Sequence, residues 1–297
     1  MTWRLAQPEE QRAIEAFLSR HVASSMFLLT NLRDHGLSGT APKAMKVWLR
    51  GAPNNGAAGL TNDGTLLIQV PMATDADWRS MQALVEAQLA GRPQTGVLGA
   101  TDQLRRYLAA TGLAARATRL NRDEPGLALD LGDLDLTCLS RPALAGAVLM
   151  PISAAPRPML VQWRAAYHQE VLGTPAAEAV AMASADIDSY LLRDSHRILS
   201  VGPKWAAMTG FNAQLPGVVQ IGGVYTPPDM RGRGYARAAL ALHLQEAARK
   251  GTEKAVLFAA GDAAVRAYQA IGFRQIEGYS LVLFDPSNAT AAKEPST

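Results

Sequence analysis

Two glycines and two arginines alternate in a short segment that could bind a phosphate-bearing ligand. The segment is Arg231-Gly-Arg-Gly234, and it lies between residues typical of a strand and residues typical of a helix. Glycines at alternate positions permit backbone conformations that side chains forbid, so peptide N–H groups can approach a ligand closely. The N-terminus of a helix adds a partial positive charge, and arginines add full charges that suit a diphosphate. The spacing therefore predicts an anion site at a strand-to-helix loop.

The flanking residues predict the two elements that must hold this loop. Val218–Tyr225 is rich in β-forming residues, and Pro227-Pro228 must end the strand because proline cannot donate to a ladder. From Tyr235 onward, apolar residues recur at the spacing of a helix. Gly222-Gly223 inside the strand predicts a bulge, where free backbone groups can align with an extended ligand.

Two other phosphate-binding motifs do not fit the loop. The Rossmann fingerprint needs a third glycine where Arg237 stands, and the P-loop needs a Lys-Ser or Lys-Thr pair that is absent after either glycine. The pattern Arg231-x-x-Gly234-x-Ala236 instead resembles the pyrophosphate-binding motif, Gln/Arg-x-x-Gly-x-Gly/Ala, of the Gcn5-related N-acetyltransferases (the GNAT family). In that family the loop binds the pyrophosphate of acetyl-coenzyme A. The alternative is a tight turn that caps an ordinary helix.

A second resemblance follows in the chain. Lys254–Ala259 predicts a buried strand, and Gly261-Asp262 offers an N-cap for a helix over 263–271. The segment from Asp262 resembles the family's second signature, Asn-x-x-Ala-x-x-Leu-Tyr-x-x-x-Gly-Phe, with Asp262 for the asparagine and Ala267 for the leucine. Tyr268 stands at the family's tyrosine, which can protonate the departing thiolate.

The resemblance implies a set of site residues. The backbone of the strand end would hold the pantetheine arm and polarise the thioester carbonyl, through Val224, Tyr225 and Thr226. The loop and the first helical turn would hold the pyrophosphate, through Arg231, Gly232, Arg233, Gly234, Tyr235 and Ala236. Asp262 and Tyr268 would contact the coenzyme from the second signature, and Tyr268 is the candidate acid.

The general base is harder to assign. Many GNAT enzymes have a glutamate on the central strand, but this strand offers Gln220 and no carboxylate. Glu170, near the end of a helix predicted over 159–172, is the candidate that could reach the acceptor amine, although a glutamate at a helix end is usually only solvated.

The predicted activity is direct transfer of the acetyl group from acetyl-CoA, as co-substrate, to a primary amine in a ternary complex, without a metal. The acceptor is a small-molecule or peptide amine of unassigned identity. Two alternatives stay open: an acyltransferase that uses another acyl or aminoacyl donor, and a non-enzymatic acyl-CoA-binding sensor.

Composition limits which partners and which compartment can be expected for the chain. Residues 1–135 carry 14 basic and 14 acidic side chains, and residues 136–297 carry 15 and 12, an excess too small to predict a nucleic-acid surface. Neither a run of about 18 apolar residues nor a signal peptide is found, so no membrane association is expected. The single cysteine, Cys138, cannot form an internal disulfide, and a cytoplasmic location is predicted. Oligomeric state is left open.

The order of predicted elements indicates the fold class. We expect an α/β protein with a mixed sheet, the GNAT acyl-CoA N-acyltransferase fold, in two tandem domains. Residues 1–135 form a degenerate GNAT-like domain closed by a strand over 127–131; its strand-to-helix connection has Asp75 and Asp77 in place of glycine and arginine, so no coenzyme site is expected. Residues 140–285 form the catalytic domain, closed by the strand Tyr279–Phe284, and residues 286–297 form a mobile tail.

Overall fold

The computed structural model describes residues 2–51 and 55–285. Contacts divide the chain into an N-terminal unit, Met1–Glu124 with Glu277–Thr297, and a C-terminal unit, Pro125–Ile276. The predicted tail over 286–297 lies outside the described residues.

The N-terminal unit is built on a mixed sheet. Its strands lie in the order β1-β2-β3-β4-β5-β12, and all neighbours pair antiparallel except β4 and β5, which are parallel. The strands are β1 (Trp3–Leu5), β2 (Met45–Arg50), β3 (Ala57–Thr61), β4 (Thr65–Gln69), β5 (Gly96–Ala100) and the end of β12 (Arg274–Phe284). The helices are α1 (Gln11–Arg20), α2 (Val22–His35), α3 (Asp75–Leu89) and α4 (Thr101–Thr111).

The C-terminal unit repeats this plan. Its strands lie in the order β7-β8-β9-β10-β11-β6, and β10 and β11 form the parallel pair. The strands are the end of β6 (Thr118–Asp130), β7 (Ala147–Pro151), β8 (His196–Val201), β9 (Lys204–Leu215), β10 (Val218–Tyr225) and β11 (Lys254–Phe258). The helices are α5 (Arg157–Leu172), α6 (Ala176–Arg193), α7 (Tyr235–Arg249) and α8 (Asp262–Gln269). The predicted mixed α/β fold is confirmed.

Helices cover the C-terminal sheet on both faces. Successive residues of a strand point to opposite faces, so neighbours can belong to different cores. Ile198 packs with residues of α5 and α6 and with Tyr225, whereas the adjacent Leu199 packs with Ala238 and Ala239 of α7. Strand β10 therefore lies between α5 and α6 on one side and α7 on the other.

The closing strands are exchanged relative to the sequence prediction. Gly126–Asp130 of β6, expected to close the N-terminal domain, pairs with β11 in the C-terminal unit. Tyr279–Leu283 of β12, expected to close the C-terminal domain, pairs with β5 in the N-terminal unit. The burial pattern alone cannot distinguish the two arrangements, because each strand presents similar apolar residues to its sheet. Each unit is therefore completed by a strand from the other half of the sequence.

This exchange predicts which unit each closing strand stabilises. Val282 is fully buried in the core of the N-terminal unit, and Leu127 is fully buried in that of the C-terminal unit. Val282→Ala should lower the free energy of unfolding by about 2 kcal/mol through lost methyl burial and a residual cavity. By hydrogen exchange, amide protection should fall in Gly96–Ala100 in this variant and in Lys254–Phe258 in the matched Leu127→Ala variant. The opposite pattern would contradict the exchange.

Candidate active site

The glycine-arginine loop joins β10 to α7 as the sequence predicts. Gly232 and Gly234 have φ angles of +79° and +85°, in the left-handed region that a side chain disfavours. Gly234 is the N-cap of α7 and, lacking a side chain, cannot cap the first turn. The first-turn N–H groups and the positive end of the helix dipole are thus left for another acceptor. This is the local geometry of an anion site.

Guanidinium groups gather around this helix end. Arg231 and Arg233 are exposed on the loop, and Arg233 donates to the Asp229 carbonyl oxygen at 3.2 Å. Sequence reasoning missed two more arginines near this helix end. A Cβ at Gly234 would lie 2.7 Å from Nη1 of Arg141, and the buried Nε of Arg237 has no hydrogen-bond partner among the described residues. Positive charge at the positive end of a helix is unfavourable in the free chain and favours a polyanionic ligand.

The predicted residues Glu170, Tyr225, Thr226 and Arg231 come together. Arg231 Nη2 lies 2.6 Å from Glu170 Oε2, and its Nε donates to the Thr226 carbonyl oxygen at 3.0 Å. The guanidinium also lies 5.8 Å from the Tyr225 ring centroid. Burial raises the pKa of Tyr225, and the nearby Glu170 carboxylate raises it further. Because both partners of the ion pair are half-exposed, it contributes only about 0–1 kcal/mol and can yield to a ligand.

Strand β10 is irregular where the sequence predicted a bulge. Its register against β9 shifts between Gly222 and Tyr225, and Gly223 has a φ of +64°. On the other side, β10 pairs with β11 only over Val218–Gln220, although it continues to Tyr225. The parallel strands therefore separate beyond Gln220. Backbone groups from Ile221 onward are available on that side to an extended ligand.

The second signature places its tyrosine near the separated strands. Tyr268 lies on α8, is half-buried, and packs in the same core as Val224 of β10. Asp262 is the exposed first residue of α8 rather than its cap, and the N-cap is Gly261. Counted back from Tyr268, the asparagine position of the signature also falls on Gly261. Of these two candidates on α8, Tyr268 packs against the core that strand β10 shares, and Asp262 is exposed.

A buried polar cluster on the α5 and α6 side of β10 was not predicted. Arg164 Nε donates to Asp186 Oδ2 at 2.7 Å, and His168 Nε2 lies 2.8 Å from the same oxygen. Tyr190 stacks on His196 with ring centroids 3.5 Å apart. Burial, and next the charge of Arg164, lowers the pKa of His196 well below its ordinary value, so this histidine is neutral. The available signal was Arg164 and His168, four residues apart on the buried face of a helix.

The corresponding place in the N-terminal unit has different polar groups. There the parallel strands are β4 and β5, and the Val70 N–H that follows β4 donates to Oε1 of Gln103 from α4. The start of α3 is capped by Thr74 and Asp77, which satisfy each other's backbone and side-chain groups. A side chain therefore takes the backbone donor at the strand end, and carboxylates occupy the helix N-terminus.

Comparisons with known proteins agree with this geometry. The model of the acetyltransferase (GNAT) family matches residues 158–273. A GCN5-related N-acetyltransferase from Kribbella flavida is 16% identical with a TM-score of 0.58, over 91% of this chain and 96% of that chain. A Drosophila protein solved by X-ray diffraction is 12% identical with a TM-score of 0.64, over 96% and 99%. No curated protein matches the sequence.

A tandem relative bears on the two-unit organisation. A tandem GNAT protein from the clavulanic acid biosynthesis pathway is 14% identical with a TM-score of 0.58, over 100% of this chain and 99% of that chain. At such identities the likeness establishes the fold. None of the helices among residues 2–51 and 55–285 is long and apolar enough to cross a membrane. The family match therefore lies within the C-terminal unit, and the likeness to the tandem protein extends the fold to both units.

Proposed function

We propose that the C-terminal unit binds acetyl-CoA and transfers its acetyl group directly to a primary amine. The observation that carries the proposal is the gathering of guanidinium groups at the N-terminus of α7, directly beside a strand whose neighbour separates from it. A diphosphate linked to an extended amide-containing arm matches both features. The diphosphate would accept N–H groups of the loop and of Tyr235 and Ala236, and the arm would follow the backbone of Val224–Thr226.

Proton transfers are assigned to two side chains. The amine nitrogen attacks the thioester carbonyl carbon, the new C–N bond forms, and the C–S bond breaks to give a thiolate. Tyr268, which packs against the same core as Val224, donates its phenolic proton to that thiolate. Glu170 is released when the diphosphate replaces it at Arg231, and its carboxylate then accepts the proton of the amine. Gln220 on the central strand cannot serve as this base because an amide is not basic.

The N-terminal unit is proposed as a non-catalytic partner without a coenzyme site. Its support is Gln103, which takes the strand-end N–H, and the carboxylates at the start of α3. The buried lone Cys138 is consistent with a reducing compartment, and we propose a cytoplasmic location.

One coenzyme site per chain is the first expectation. Titration calorimetry should show one equivalent of acetyl-CoA bound, and Gly234→Asp should abolish binding by placing a carboxylate and a strained residue at the diphosphate position. Gly251→Asp is the matched control, because Gly251 follows the other end of α7 with a φ of +90° and no atom within 4 Å of a Cβ. Two equivalents would contradict the N-terminal assignment, and no binding would contradict the function.

Arg141 should contribute to the same affinity. Removing one charge-assisted contact to a phosphate costs roughly 1.4 kcal/mol, so Arg141→Ala should weaken acetyl-CoA binding about tenfold. The same change at Arg249, exposed at the far end of α7, should leave the dissociation constant unchanged. Equal effects of the two variants would show that only overall charge matters.

Tyr268→Phe tests the assigned acid. Because a positioned acid typically contributes about 100-fold or more, kcat for acetylation should fall by that factor while the dissociation constant of acetyl-CoA stays within twofold or so. The measurement is release of the free thiol of coenzyme A, beside calorimetry of the same variant. An unchanged kcat would assign Tyr268 to packing alone. A bound coenzyme with no turnover on any amine would favour the sensor alternative.

A further inference from the structure

The side chain of Arg164 lies close to the bulge of β10, on the face opposite α7. A Cβ at Gly223 would lie 3.7 Å from Arg164 Nη1 and 3.1 Å from His196 Nε2. Two side-chain nitrogens therefore converge on one point of the strand. Under the proposed function this point adjoins the reacting thioester, and the coenzyme reaches it from the α7 side. The α5 and α6 side is left for the acceptor.

Arg164 has donors that the protein does not use. It is 8% exposed, and within residues 2–51 and 55–285 its side chain makes a single hydrogen bond, from Nε to Asp186. Tyr167 and Tyr190 lie near the guanidinium, with ring centroids 4.6 and 5.5 Å from its carbon. A structural arginine–carboxylate pair usually engages two nitrogens in a fork. Here one nitrogen serves Asp186, and Nη1 faces the bulge instead.

His196 supplies a second donor beside it. Its side chain is fully buried, and its Nε2 has no hydrogen-bond partner in the part of the chain that the structure describes. The Ser195 hydroxyl lies 2.9 Å from Nδ1. In the tautomer in which that hydroxyl donates to Nδ1, the ring proton resides on Nε2, which lies between Gly210 and Gly223. A buried donor without a partner is costly, so the site is suited to an absent acceptor atom.

The cluster also opens toward solvent. The side chain of Asp186 is 33% exposed, while those of Arg164 and His168 are almost covered. Asp186 thus lies at the outer edge, and the unused nitrogens lie deeper, at the strand. The unused donors at the strand, one cationic and one neutral, suit a carboxylate.

From this arrangement we infer that the acceptor is an amino acid, and that Arg164 and His196 bind its carboxylate. The inference rests on the proposed acetyl transfer and deepens it by naming the acceptor class. It makes Arg164 a specificity-determining residue. A structural role, tying α5 to α6 through Asp186, would give no preference between acceptors.

Matched acceptor pairs test this directly. The twenty amino acids are assayed with acetyl-CoA beside the decarboxylated partners of three of them: phenethylamine for phenylalanine, tyramine for tyrosine and isoamylamine for leucine. At least one acid should exceed its amine about 100-fold in kcat/KM, the value of a charge-assisted pair of hydrogen bonds. Arg164→Gln should reduce the acid to the level of its amine and leave the amine and the dissociation constant of acetyl-CoA unchanged.

Arg157→Gln is the control variant. Arg157 joins the same two helices through Asp188, at 2.7 Å, but both side chains are exposed. Arg157→Gln should leave kcat/KM unchanged for both the acid and its amine. Should Arg164→Gln fail to fold, Arg164→Lys keeps the charge without the fork and should lower the preference about tenfold.

The outcomes separate the two proposals. Acetylation of amines without preference for the acid, or an equal loss with both acceptors in Arg164→Gln, would overturn the acceptor inference and leave the acetyltransferase standing. Bound coenzyme with no turnover of any amino acid would also overturn it. A chain that binds no acetyl-CoA would remove the proposed function, and the inference with it.

Discussion

Several positive charges lie close together at the start of α7, and the nearby negative charge does not balance them. The rest of the C-terminal site depends on this imbalance. The helix presents its positive end, and the loop and Arg141 add guanidinium groups to it. Glu170 supplies one compensating carboxylate, through an ion pair too exposed to be strong. Two left-handed glycines keep the backbone donors uncovered. The proposed diphosphate would complete this charge arrangement, and its arrival would free Glu170 at the same time.

The central strand connects this imbalance with the chemistry proposed for the other face. Strand β10 carries the loop at its end, separates from β11 beyond Gln220, and has its bulge at Gly222-Gly223. One strand thus offers backbone to an extended ligand and approaches Arg164 and His196 on the opposite side. In each of these contacts β10 contributes its backbone rather than a side chain. The glycines Gly222 and Gly223 therefore determine the local form of the strand.

Much of this unit could be predicted from the sequence, because its signals are local. The bulge glycines, the proline stop, the helical periodicity and the arginine loop each lie within a few residues, and the structure has them where expected. The predictions that failed depend on contacts between residues that lie far apart in the sequence. Arg141 lies close to Gly234 although some ninety residues separate them in the sequence. Arg164 could be recognised as a site residue only once its contacts with Asp186 of α6 and its position near His196 of β8 were known. The pairing of the two exchanged strands was predicted wrongly for the same reason, since the alternation of apolar and polar residues defines a strand but not its partner.

The exchange of strands β6 and β12 has a consequence for how the protein is made. A ribosome delivers the chain from its N-terminus, and domains generally fold in that order. Here the N-terminal unit lacks its edge partner for β5 until Tyr279–Leu283 has been synthesised. From the synthesis of β5 until that of β12, this edge of β5 is therefore unpaired, the kind of surface that invites wrong pairing. The N-terminal unit is completed only after the strands and helices of the C-terminal unit have been synthesised.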